Sequence, residues 1–237
     1  MDVVLAALLV SLSLFSGCGP GVSESEVGQP SNWPDAGPWE AEMKAFEALD
    51  QTRNYPPESI LFTGSSSIRL WKTLEQDMAP YPVIQRGFGG SKVTDVNNLA
   101  DRYIAHHTFQ AVVLFVANDI SGSPEDKTPE QVRDLFDEFI DIIRGYNPNA
   151  PIFLMAITPT QSRWSVWDQT RAVNHYIAAL ADTHEGVIFI PTEDLFLGDD
   201  GEPIDEFFVS DRLHLSPAGY AKWTKRVRSY LEPVVNR

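Results

Sequence analysis

The sequence predicts a three-layer α/β/α domain built on a doubly wound, five-stranded parallel sheet. Three observations predict it. Short apolar runs alternate with helical stretches through most of the chain. The strongest run, Ala111 to Val116 (AVVLFV), is unbroken and rich in β-branched and aromatic residues, as suits a strand buried on both faces. Small and polar residues follow each run, as they do where parallel strands end in loops.

Taken in order, the strand candidates are Ser59 to Phe62, Pro82 to Gln85, Ala111 to Val116, Pro151 to Ile157 and Val187 to Ile190. Ahead of them, Trp39, Met43, Phe46 and Leu49 fall on one helical face, which predicts a brace helix packed on the domain. The clearest helix runs from Pro129 to Arg144. Thr128 is its N-cap, Pro129 takes the first helical position, and Val132, Leu135, Phe136, Phe139 and Ile143 face inward. The last helix opens the same way, with Ser216-Pro217. No internal repeat and no sustained heptad is present.

The 237 residues fit one domain plus a small appendage. A hydrophobic fraction of 43% supplies a sizeable core. The net charge of −15 excludes nucleic acid and anionic lipid as electrostatic partners, and reads as solubility. Cys18 is the one cysteine, so no intrachain disulfide can form. Val3 to Phe15 is apolar apart from Ser11 and Ser13. It is shorter than the roughly 20 residues of a spanning helix and fits the h-region of a secretory signal. Only Asp2 is charged ahead of it; the usual Lys or Arg is missing. Phe15-Ser16-Gly17-Cys18 resembles the lipobox of bacterial lipoproteins, which implies cleavage before Cys18 and acylation of that residue. Gly19, in place of Asp, leans by the same resemblance toward the outer membrane in a Gram-negative host. The expected organisation is therefore a signal over residues 1–17, a flexible tether over 18–32 and a globular domain over 33–237. The expected location is the bacterial cell envelope, with membrane contact only through the lipid anchor; with an ordinary cleaved signal instead, the protein would be secreted.

In a doubly wound sheet, ligands collect beyond the carboxyl ends of the strands. Gly64 to Ser67, Gly87 to Ser91, Ala117 to Asp119 and Thr158 to Pro159 all follow predicted strands and should rise at that edge, and four segments of the chain could do chemistry. Gly64-Ser65-Ser66-Ser67 offers a serine at a tight strand-to-helix turn, or simply a helix cap. Arg86-Gly87-Phe88-Gly89-Gly90-Ser91 lets backbone N–H groups approach a ligand, or is a plain tight loop. A dinucleotide fingerprint would need Gly where Lys92 stands. Asn118-Asp119 offers an amide donor or a turn cap. Asp211-Arg212-Leu213-His214 places an acid three residues from a base, or forms an ordinary surface pair. His106-His107 precede a strand, at the opposite edge, and one cysteine makes no thiolate cluster. No metal site is expected.

Read together and in chain order, the four segments resemble the SGNH hydrolases, also called the GDSL lipase/esterase family. The resemblance covers Ser59 to the C-terminus. It implies a flavodoxin-like sheet order and a serine esterase. Gly64-Ser65-Ser66 matches the first block, with Ser66 as nucleophile. Gly87-Phe88-Gly89-Gly90 matches the second, with Gly90 as a backbone oxyanion donor. Asn118-Asp119 matches the third, with Asn118 as a side-chain donor. Asp211-x-x-His214 matches the fourth, with His214 as base and Asp211 as its orienter. The chain departs from the family at two positions: Ser65 stands where an Asp is usual, and Val116 where the third block carries Gly. The latter predicts a tighter or shifted turn and a less secure aim for Asn118. Arg163, Trp164 and Trp167 follow the fourth strand, where they either line an acyl or sugar pocket or pack the next helix. The α/β-hydrolase elbow is excluded, because its second glycine falls on Ile68.

The resemblance implies attack by Ser66, with the oxyanion held by the N–H of Ser66, the N–H of Gly90 and the Asn118 amide. No metal or organic cofactor is implied. No apolar insertion long enough for a lipase lid is present, so short acyl or acetyl esters, including acylated carbohydrates, are the expected substrates. Two alternatives stay open: acyl transfer to a sugar hydroxyl, and a non-catalytic, surface-tethered carbohydrate-binding module. Oligomeric state and acyl length are not legible.

Overall fold

The computed structural model describes residues 35–235, and the signal and the whole tether, Cys18 included, lie outside them. Alternation along the strands sets the layering. Leu61, Val112, Leu114, Ile152 and Leu154 belong to one core; Ile60, Phe62, Val113, Phe115, Phe153 and Met155 belong to the other. The five strands are β1 (Ile60–Gly64), β2 (Val83–Gly87), β3 (Ala111–Phe115), β4 (Ile152–Met155) and β5 (Val187–Ile190). All pair in parallel, in the order β2-β1-β3-β4-β5, as predicted. The first two strands run two residues further than the sequence suggested. Their pairing continues through Gly64 and Gly87, which sit opposite each other and which sequence reads as turn.

One face is covered by α1 (Glu40–Thr52), α4 (Val93–Asn98), α5 (Ala100–Ile104), α6 (Pro129–Tyr146) and α7 (Trp167–Thr183). The other carries α2 (Ser66–Leu70), α3 (Leu74–Asp77) and α8 (Pro217–Val235). Helix α6 opens as its sequence requires. Thr128 Oγ1 accepts from the Gln131 N–H, and Gln131 Oε1 accepts from the Thr128 N–H. Val132, Phe136, Phe139 and Ile143 are buried as expected, while Leu135 is only partly covered.

Helix α1 is the predicted brace, with one correction. Met43 is fully buried, and Trp39 and Phe46 pack on the core, but Leu49 is 43% exposed. Ion pairs rather than a wider apolar stripe fix this helix. Glu40 and Glu47 both bond the buried Arg102, each at 2.5 Å, and Asp50 bonds the buried Arg86. The hydrogen bond from Arg102 is the main reason the Glu40 carboxyl is pulled down to about 2.

Candidate active site

The sheet order reverses between β1 and β3, so the crevice beyond their carboxyl ends is where this topology places a ligand. Ser66 and Asn118 follow those two strands. Gly64 has φ +130°, and a Cβ there would meet the Phe115 carbonyl oxygen at 1.9 Å; glycine alone permits this approach. The Ser65 N–H donates to the same oxygen at 2.9 Å, and the chain turns directly into α2 at Ser66. Ser65 holds the N-cap position without making a side-chain cap bond. As the first residue of the helix, Ser66 presents an N–H with no intrahelical acceptor.

Ser66 Oγ lies 2.9 Å from His214 Nε2, and His214 Nδ1 lies 2.7 Å from Asp211 Oδ2. A carboxylate only accepts, so the ring proton sits on Nδ1 and the Nε2 lone pair faces the serine. The loop is tight because Arg212 adopts φ +54°. That turn lets Asp211 Oδ1 accept the N–H groups of Leu213 and His214, both at 2.9 Å. Burial pushes the Asp211 carboxyl up, but the hydrogen bond from the His214 ring and the two backbone donors outweigh it. The net effect holds this acid below the usual carboxylate range. Asp211 therefore stays ionised across the range in which a histidine titrates.

The second and third blocks meet beside this pair. Ser91 Oγ donates to the Phe88 carbonyl at 2.9 Å, and Gly90 takes φ +78°. Asn118 Nδ2 donates to the Ser91 carbonyl at 2.9 Å, and its Oδ1 accepts from Arg163 Nη2 at 2.7 Å. Asn118 lines the cleft, whereas Gly90 is exposed and is not among the lining residues. Asp119 is buried; it accepts the Val93 N–H at 2.9 Å and pairs with Lys127 at 2.9 Å, which anchors the third block to α4. The turn lacking glycine is not strained: Val116 is buried, and neither it nor Ala117 takes a positive φ.

The cleft is lined by Ser66, His214, Asn118 and Arg163, by Phe115, Ile157, Trp167, Leu213 and Leu215, and by Thr158 and Thr160. Its cavity volume is about 30 Å³. The buried hydroxyls of Thr158 and Thr160 have no hydrogen-bond partner among the described residues. Trp167 lines the cleft; Trp164 stacks on it with ring centroids 5.9 Å apart, behind the lining. Thr158 was expected at this edge without a role of its own, while Thr160 and Trp39 escaped the sequence reading. Trp39 gave only a helical spacing, yet its indole Nε1–H donates to the Gly89 carbonyl at 2.8 Å and its ring meets Phe88 edge-on at 5.9 Å.

A model of the GDSL-like lipase/acylhydrolase family matches residues 55–222, most of the chain. The chain belongs to that family. The SGNH resemblance and the sheet it implied are thereby borne out, and the class of chemistry supported is ester hydrolysis. Solved structures agree on the fold. A protein from Streptococcus pneumonia described as a candidate platelet activating factor is 23% identical, with a TM-score of 0.70 over 81% of this chain and 92% of that one. A GDSL-like lipase from Bacteroides thetaiotaomicron is 12% identical, with a TM-score of 0.65 over 81% and 98%. A carbohydrate esterase family 3 protein from Talaromyces cellulolyticus is 14% identical, with a TM-score of 0.59 over 76% and 98%. No curated protein sequence is significantly similar to the chain.

Proposed function

We propose that this GDSL-family member is a serine esterase that cleaves short acyl esters, acetyl esters foremost, through an acyl-enzyme on Ser66. The observation that carries the proposal is the chain from Ser66 Oγ to His214 Nε2 at 2.9 Å and from His214 Nδ1 to Asp211 at 2.7 Å, at the topological switch point. Ser66 Oγ attacks the ester carbonyl carbon while its proton passes to His214 Nε2. Asp211 holds the ring and stabilises the imidazolium. The oxyanion is received by the N–H of Ser66, the N–H of Gly90 and the free amide hydrogen of Asn118, each worth roughly 2.7–4 kcal/mol of barrier. His214 then protonates the leaving alkoxide, and a water activated by the same ring releases the acid. His214 passes the proton taken from that water back to Ser66 Oγ, which restores the resting enzyme.

A short acyl group is supported by the sequence, which carries no apolar insertion long enough for a lipase lid. An acylated carbohydrate is the proposed substrate, on the likeness in fold to a carbohydrate esterase. The test is a chain-length series of p-nitrophenyl esters beside acetylated sugars, with Ser66→Ala as control. The expected result is a kcat/KM that falls as the chain grows past a few carbons and vanishes in Ser66→Ala. Equal rates on long-chain esters would refute the acyl assignment, and activity surviving in Ser66→Ala would refute the nucleophile. We further propose that Cys18 is the acylated residue that tethers the enzyme to the cell envelope. Metabolic incorporation of a labelled fatty acid should depend on Cys18, and labelling that persists in Cys18→Ser would exclude it.

A further inference from the structure

We infer that Arg163 is a positioning residue for the oxyanion donor Asn118 and replaces, by tertiary contact, what a glycine turn supplies elsewhere in the family; this rests on the proposed role of Asn118. The guanidinium bridges two acceptors of the third block. Its Nη1–H donates to the Ala117 carbonyl and its Nη2–H donates to Asn118 Oδ1 at 2.7 Å. On the other side Asn118 Nδ2 donates to the Ser91 carbonyl at 2.9 Å. Together these contacts fix the amide without ambiguity. A guanidinium only donates, so the oxygen must face Arg163; a carbonyl only accepts, so the NH₂ must face the second block. One amide hydrogen then remains, on a nitrogen held at the cleft wall beside Ser66.

Charge adds to geometry. Arg163 makes no salt bridge among the described residues, and burial pushes its guanidinium down without removing the charge. A cation hydrogen-bonded to Oδ1 draws electron density from the amide and makes its remaining N–H a stronger donor to a developing oxyanion, even with the Asp126 carboxylate acting on the guanidinium from a distance. The segment that carries Arg163 also reaches the base. In the 3₁₀ turn Gln161–Val166, the Ser162 N–H donates to the Arg212 carbonyl at 3.2 Å, inside the loop that holds Asp211 and His214. Arg163 is thus placed where the oxyanion and acid–base halves of the cleft meet. Lysine cannot substitute, because a single ammonium does not present the planar fork that spans the two acceptors.

The test is a double-mutant cycle on the full chain, with p-nitrophenyl acetate as substrate and thermal unfolding as the check on folding. Asn118→Ala should lower kcat roughly 10²–10³-fold, as loss of an oxyanion donor does. Arg163→Met and Arg163→Lys should each lower kcat roughly 10–100-fold with KM changed less than about threefold, because the lost interaction acts only in the transition state. In the Asn118→Ala background, Arg163→Met should cost less than about threefold, since its target is gone. Independent, multiplicative losses would overturn the positioning role, as would a loss confined to KM, which would make Arg163 a substrate ligand. So would a Arg163→Lys variant that keeps both its fold and its wild-type kcat. If Asn118→Ala retains wild-type kcat, the oxyanion assignment itself falls, a result distinct from the others.

Discussion

The two halves of the cleft are built by different means. The proposed acid–base half comes from one short loop: Asp211 and His214 are three residues apart, and a single left-handed residue, Arg212, folds the acid back onto two backbone N–H groups and the ring. The proposed oxyanion half is assembled across the fold. Asn118 follows β3, Gly90 follows β2, and each is held by a residue from another segment, Arg163 after β4 and Trp39 ahead of the domain's first strand. Local geometry tolerates little variation in spacing, so it leaves a motif. A tertiary clamp can come from anywhere in the chain, so it leaves none.

The sharpest way to break the comparison is to remove the local half. His214→Ala eliminates the proposed base and acid at once, and kcat for p-nitrophenyl acetate should fall by a factor on the order of 10⁶. Asp211→Asn should fall less, on the order of 10⁴, because the imidazole remains and only its tautomer and charge support are lost. Stopped-assay rates for the two variants should keep that order. A reversed order would mean that Asp211 does more than orient. The pH profile sharpens the same point. Asp211 is held below the usual carboxylate range, so its bonds to the loop persist above its unfolded pKa and are lost only as pH falls through the lower folded value. Because its side chain is 47% exposed, solvent screening keeps that contribution to stability small. Activity on the acid side should therefore fade at higher pH than any Asp211-linked loss of structure, which circular dichroism followed across the same titration would reveal.

The same distinction explains what could be read from sequence. The parallel sheet was legible because Ala111 to Phe115 is apolar at every position, and all five of its residues are buried. Ser66 and Asn118 were legible as positions because each closely follows its strand, and the Asp211–His214 pair because acid and base stand close together just ahead of the last helix. Val116 looked like a defect in the third block. In the fold its side chain joins the core and its backbone is ordinary, and the clamp that holds the neighbouring Asn118 lies 45 residues away. Leu49 was misjudged for a related reason. Its spacing matched the buried face of α1, but Arg102 and Arg86 set how that helix docks, and such pairings have no periodicity.

The smallest expected effect tests how far the tertiary clamp extends. Trp39 lies outside residues 55–222, the span shared with the family, yet it donates to the carbonyl of the Gly89–Gly90 peptide. In a planar trans peptide the carbonyl and the N–H point in opposite directions. Fixing the Gly89 oxygen toward Trp39 therefore fixes the Gly90 N–H away from it. Glycine on both sides of that bond gives the peptide unusual freedom to rotate, so an external anchor has something to restrain. Trp39→Phe keeps a ring against Phe88 and deletes the donor. The expected loss of stability is about 0.5–1.5 kcal/mol, the net worth of one hydrogen bond. The expected loss of kcat is larger than that stability change implies for the folded fraction, roughly three- to tenfold, with KM unchanged. A variant with a lowered Tm but wild-type kcat below its melting range would show that α1 only braces the sheet. A fall in kcat at full folding would place the first helix, and not only the four motif segments, in control of the oxyanion side.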